Sequence, residues 1–191
     1  MRDVSTLKNL INVEFKYHDV TGSALTVDSL NGTFQLLNGI SQGDGASSRD
    51  GNQIRIKSIE SRMTFNTNAS TPTSGFVRCI WFIDLQAKGT APVQSDLLQT
   101  HGPVSIVWPR NLDNRSRFLI LKDKTFALNA QEKRIIPFHW YKEMDMKQVF
   151  DAAGGLIGDI SSKPIYCFTV GDLAVNKPTF NSVHRVRYID N

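Results

Sequence analysis

The sequence predicts an all-β sandwich in a single domain. Three observations carry this. Strand-type runs follow one another from Val13 to the C-terminus, only two short segments have helical spacing, and the connections are long and polar. About eight strands with few helices in one chain favour a sandwich over a closed barrel. The 191 residues suffice for one full core, with no internal repeat and no interior linker.

The elements can be justified in order. Val4, Leu7 and Ile11 share a helical face, with Asp3 or Ser5 as cap, which predicts a helix over residues 1–12 ahead of a β domain over 13–191. Val13, Phe15 and Tyr17 alternate with Glu14, Lys16 and His18, the pattern of a half-buried strand whose second set is wet. A short strand is expected near Thr33–Leu37, before the polar loop SQGDGASSRDGN. In the strand over 53–67, Ile54 and Ile56 are in phase, but Ile59, Met63 and Phe65 have switched parity. That switch predicts a bulge near Lys57–Ser58.

The run from Phe76 to Asp84 is apolar on both faces, so its second face needs a cover. Val93, Leu97 and Leu98, following Pro92, form a short amphipathic helix that could supply it, as could a neighbouring subunit. Further strands are expected at 117–122 and 124–129, which could be one long strand, and at 133–141, 164–171 and 183–190. Pro137 belongs at an edge or a bulge because it cannot donate to a ladder. Loops are expected at 100–116 and 142–163.

Chemistry-bearing patterns fail on spacing. His18, His101, His139 and His184 are isolated, Cys79 and Cys167 lack a CxxC partner, and no GxSxG, Walker or GxGxxG pattern occurs. Both cysteines sit in apolar runs and read as buried thiols. No stretch approaches the ~20 apolar residues of a membrane helix, and the N-terminus lacks the apolar core of a secretory signal. The chain is expected not to be an enzyme. Its formal charge of +4 permits a polyanion partner. Arg55 with Lys57, Arg185 with Arg187, and Lys122 with Lys124 are paired cations that could line a basic surface; no aromatic stacking platform is evident beside them.

Four segments then stand out together, in this order: NGISQGDGASSRDGNQIRIKSIE, VRCIWFIDLQAKGTAPVQSDLL, RFLILKDKTFALN and IYCFTVGD. In this order the chain resembles the coat proteins of satellite tobacco necrosis virus and its relatives, and similar capsid proteins occur in small circular single-stranded DNA viruses. The resemblance is concentrated in about residues 38–173 and is weak over 100–116 and 140–163. It implies an eight-stranded antiparallel viral jelly roll of two four-stranded sheets. It also implies self-assembly into an icosahedral shell, about sixty copies being the simplest closed count, around a single-stranded RNA or DNA genome. The shell would be a virion formed inside a host cell, with no membrane partner.

The resemblance further places the first helix and the lysine-bearing end of FLILKD inside the particle. Arg2, Lys8, Lys122 and Lys124 are therefore expected to face nucleic acid, with Arg55 and Lys57 as further candidates. Relatives begin with an Arg/Lys-rich arm, whereas only Arg2 and Lys8 carry positive charge in residues 1–15. Family members bind calcium at subunit interfaces, and Glu14 and Asp190 resemble one such site. The alternatives are a jelly-roll carbohydrate-binding or trimeric ligand domain, which would want a secretion signal and an aromatic platform, and a cupin-like enzyme, which would want a His pair.

Overall fold

A computed structural model describes residues 15–87, 89–101 and 105–190. The expected helix over 1–12, with Arg2 and Lys8, and Glu14 lie outside the described residues. The strands are β1 (Phe15–Thr26), β2 (Thr33–Leu36), β3 (Gln53–Asn66), β4 (Gly75–Asp84), β5 (Phe118–Leu128), β6 (Ile135–Val149), β7 (Ile165–Gly171) and β8 (Thr179–Asp190). They form two four-stranded sheets, ordered β1-β8-β3-β6 and β2-β7-β4-β5, with antiparallel pairing throughout. The chain changes sheet at every connection except β4 to β5. This is the jelly-roll topology.

Between the sheets, Ile54, Ile56, Ile59, Met63 and Phe65 of β3 and Phe180, Val186 and Tyr188 of β8 meet Val77, Cys79, Trp81 and Ile83 of β4. The parity switch in β3 is present as a register shift between Ile56 and Ser58 against both neighbours. Without it the two halves of β3 could not both direct isoleucines inward.

A second apolar cluster covers the other face of β4. Ile80 and Phe82, with Tyr166, Phe168 and Val170 of β7, are buried beneath Leu97 and Leu98, which end and follow helix α1 (Gln94–Leu97), and Phe118. The Phe82 ring packs edge-on to Phe118 at 5.2 Å and lies over Tyr166 at 5.5 Å. The expected cover is therefore supplied within the chain. A buried ion pair fastens it: Arg117 grips Asp84, the last residue of β4, with Nη2 to Oδ2 at 2.8 Å, and reaches Asp96 of α1 at 3.3 Å. Hydrogen bonding to Asp84 raises the Arg117 pKa. Arg117 is thus a structural cation and not a surface one.

Two strands are longer than the sequence suggests. β6 runs on through 149, where a loop was expected, because Met144, Met146 and Gln148 keep the inward alternation. Gln148 is fully buried yet paired to Asn38 at 2.9 Å, so a polar side chain occupies a core position. The runs at 117–122 and 124–129 are one strand, β5, with a register irregularity opposite Trp81 and Phe82. Pro137 lies on β6, an edge strand, as its missing N–H requires.

The phase of β1 is the reverse of the expected one. Lys16 is buried, with Nζ 2.9 Å from Asp50 and 3.3 Å from Asp190, while Phe15 is 66% exposed. A buried ammonium is tolerated because two carboxylates offset its desolvation.

A polar chain crosses the core between the sheets. Trp81 Nε1 donates to Ser61 Oγ at 3.0 Å, Ser61 lies 2.8 Å from His184 Nδ1, and His184 Nε2 is 3.3 Å from Gln35 Oε1. The pattern is satisfied by the neutral imidazole protonated at Nε2. Burial pushes the His184 pKa down to about 4, in keeping with that form. Ser61→Ala would leave the Trp81 indole N–H unpaired in the core. It should lower unfolding free energy by about 1–3 kcal/mol in denaturant titration; an unchanged midpoint would show that the chain is dispensable.

Candidate nucleic-acid interface

The inverted phase of β1 gives the β1-β8-β3-β6 sheet its outward face. Register places Tyr17 opposite Arg187 and Asp19 opposite Arg185, then Arg185 opposite Glu60 and Val183 opposite Arg62, then Glu60 opposite Tyr141 and Arg62 opposite His139. Farther along, Arg55 is opposite Lys147. Cations outnumber carboxylates on this face. The aromatic side chains Phe15, Tyr17 and Tyr141 share it, each more than two-fifths exposed.

The charges are ordered by mutual pairing. Arg185 holds Asp19 through two hydrogen bonds, 2.7 and 2.6 Å, and its guanidinium lies 4.6 Å over the Tyr17 ring. Glu60 receives Arg187 at 2.8 Å, Arg62 at 2.8 Å and His139 at 3.1 Å. Those donors, Arg187 foremost, pull the Glu60 carboxyl down to about 2. Arg55 and Lys57 both close on Asp145, Lys57 at 2.8 Å, and Arg55 foremost holds that carboxyl far below its ordinary range. Two cations against one carboxylate leave this corner net positive.

A depression of about 420 Å³ opens between Phe15, Tyr141, Lys57, Glu143 and Arg187. Exposed rings beside fixed cations can stack planar bases and neutralise phosphates without reading sequence. The pairs Arg55 with Lys57 and Arg185 with Arg187 are legible in the sequence, but the aromatic component is not, because alternation alone places Phe15 and Tyr17 in the core. Only the pairing of Tyr17 with Arg187 across strands reveals their side.

Lys122 and Lys124 stand elsewhere, on edge strand β5. They lie opposite Trp81 and Cys79 and so share the inward-turned side of their sheet, at its open rim. Asp123 between them points the other way, to Arg78, whose Nε and Nη2 it accepts at 2.9 and 2.7 Å. Neither lysine has an ion-pair partner among the described residues. The four described candidate cations therefore do not form one patch: Arg55 and Lys57 belong to one face, Lys122 and Lys124 to a separate rim.

Asp190 is the described half of the expected calcium pair. Its side chain is 6% exposed; Oδ2 takes Lys16 and the Asp50 N–H, while Oδ1 is buried without a hydrogen-bond partner. That orphaned oxygen fits one ligand of a hard cation, although Lys16 already neutralises much of the carboxylate. Among the described residues no group of three or more His, Cys, Asp or Glu side chains gathers into a metal grip.

The satellite tobacco necrosis virus coat protein family matches residues 3–191. The chain belongs to that family. Within it, the chain is similar to the capsid protein of Satellite tobacco necrosis virus 1, 37% identical over 122 residues that cover 62% of this chain and 60% of that one. It is also similar to the coat protein of Maize white line mosaic Satellite virus, 28% identical over 119 residues, 62% of this chain and 54% of the relative. The matched region thus spans between half and two thirds of the length of these curated relatives. Among solved structures, Desmodium yellow mottle tymovirus aligns with 93% of this chain and 87% of that chain at 8% identity and a TM-score of 0.40. The coat-protein family membership and the jelly roll agree with the expectation drawn from the motifs.

The pairing around Glu60 has a pH signature. Its folded pKa, about 2, lies below the ordinary value of 4.5, so its contribution is present above pH 4.5 and lost as pH falls toward 2. Thermal melts of Glu60→Gln should be less stable than wild type at neutral pH and should lose less stability between pH 4.5 and 2. Parallel acid profiles would show that Glu60 is not held this way.

Proposed function

We propose that this chain is a structural coat protein that self-assembles into a small icosahedral shell and packages a single-stranded nucleic-acid genome through non-specific basic contacts. The observation that carries the reading is the coat-protein family match over residues 3–191 on a jelly-roll frame. Self-assembly is supported by apolar side chains left exposed on several sides: Leu30, Leu112, Leu119, Ile135, Leu156 and Val175. Closed shells need several distinct contact surfaces per subunit, and large exposed apolar groups are costly unless a partner covers them. The relatives are named coat and capsid proteins, a structural role, and no catalysis is assigned to this chain.

Genome contact is assigned to two basic regions. Lys122 and Lys124 supply cations that have no ion-pair partner among the described residues. Arg55, Lys57, Arg185 and Arg187 supply ordered cations beside Phe15, Tyr17 and Tyr141. Arg2 and Lys8 would add to either region. Calcium enters the reading as a clamp between subunits, with Asp190 as one ligand and Glu14 as its companion across the interface.

Two experiments test this. Purified full chain should sediment as uniform particles carrying nucleic acid, and Lys122→Ala/Lys124→Ala should keep the particles. The double variant should flatten the salt dependence of binding to single strands by about 1.4 in log–log slope, since each phosphate contact is worth about 0.7. A monomer or trimer under all salt and calcium conditions overturns the shell, and an unaltered slope overturns the lysine assignment. For the clamp, chelator should loosen wild-type particles and leave Asp190→Asn particles unaffected. Equal chelator sensitivity of the two would remove Asp190 from the site.

A further inference from the structure

The connection between β6 and β7 is tied down by hydrogen bonds and close backbone packing. Fully buried Arg49 donates Nε to the Ile40 carbonyl at 2.9 Å and its terminal nitrogens to the carbonyls of Gly51 and Ala152, with its guanidinium 4.0 Å over the Phe150 ring. Asp151 N–H reaches the Asp159 carbonyl at 2.8 Å, and Gln42 N–H reaches the Ala153 carbonyl at 2.8 Å. The Asp159 carboxylate accepts the Leu156 N–H at 2.8 Å. Gly155 packs so tightly on Gly39 that a Cβ there would stand 2.7 Å from the Gly39 carbonyl oxygen. At the tip of this braced loop Leu156 is 75% exposed. A side chain presented by a preordered backbone loses little further entropy when it docks. The segment 151–160 also carries Asp151 and Asp159 and no cation.

A matching hollow lies in the long connection before β5. A cavity of about 230 Å³ has Leu97, Phe118 and Ile120 in its lining, with Leu112, Arg110 and Arg115 at its rim. Both arginines are exposed and, among the described residues, neither has an ion-pair partner, although Asp113 stands between them in the chain. An apolar hollow rimmed by guanidinium groups that have no ion-pair partner among the described residues is complementary in sign to an exposed leucine on a loop that carries the exposed Asp151 carboxylate.

We propose that loop 151–159 of one copy docks into this cavity on a second copy, with Leu156 entering the apolar lining and Asp151 facing Arg110 and Arg115. The contact rests on the self-assembly reading above and names one of its interfaces. Braced loop and hollow occur once on every copy, so each subunit offers both halves of the joint, as a closed assembly requires.

The test uses the full chain. Leu156→Ser should raise the protein concentration needed for particle formation at least tenfold in sedimentation velocity, with its thermal melt unchanged, while Leu156→Met should stay within about threefold of wild type. Asp151→Arg should weaken assembly, and combining it with Arg110→Asp/Arg115→Asp should restore it. Mixing Leu156→Cys with Leu112→Cys copies under oxidised glutathione should give a disulfide-linked dimer, the native cysteines being buried. Normal assembly of Leu156→Ser with no cross-link overturns the joint alone. A fall in packaged nucleic acid without any assembly defect, on replacing Arg110 and Arg115, would assign the arginines to the genome and likewise overturn it. Failure of wild type to assemble at all overturns the joint and the coat-protein assembly reading together.

Discussion

From Cys79 to Asp84 strand β4 has no face to offer solvent, and the rest of the molecule is arranged around that constraint. Val77, Cys79, Trp81 and Ile83 need the opposing sheet, while Ile80 and Phe82 need something on the far side. The long connection between β4 and β5 exists as a cover: α1 and the residues after it fold back over Phe82, Tyr166 and Phe168. Apolar burial drives this, at roughly 25 cal/mol per Å² removed from water. The Asp84–Arg117 pair then fixes where the cover sits. Such a pair adds little net stability once its desolvation is counted, but it admits only one placement of the connection.

Covering one sheet internally leaves the other to face outward. Among the described residues no layer covers the β1-β8-β3-β6 face, and it is finished with interlocked ion pairs and exposed rings. Glu60 is the hub, because one carboxylate organises Arg187, Arg62 and His139. Exposed pairs of this kind contribute little to stability individually. They hold guanidinium groups in a fixed array, the feature on which the proposed contact with a polyanion of no set sequence rests.

Much of the frame was legible in the chain. The bulge of β3 follows from the parity switch between Ile56 and Ile59, and the covered second face of β4 follows from the unbroken run RCIWFI. Strand β6 was cut short because KEMDMKQV reads as polar, although Met144, Met146 and Gln148 continue one face and Asn38 satisfies the glutamine. The phase of the first strand is hidden in the sequence for a related reason. Hydropathy ranks Lys16 as wet and Phe15 as buried. Asp50 and Asp190, far away in sequence, reverse that ranking by neutralising the lysine.

The candidate interface shows the same division. Local residue types determined that the chain would be an all-β sandwich, where most strands would run, and which cations come in pairs, because alternation and turn chemistry act over a few residues. Tertiary structure decided that Lys122 and Lys124 stand on a rim apart from Arg55 and Lys57, that Asp123 turns away to Arg78, and that Phe15, Tyr17 and Tyr141 join the basic face. Those outcomes depend on which strands become neighbours and in what register. Register is a property of pairs of strands distant in sequence, so a single run of residues cannot express it.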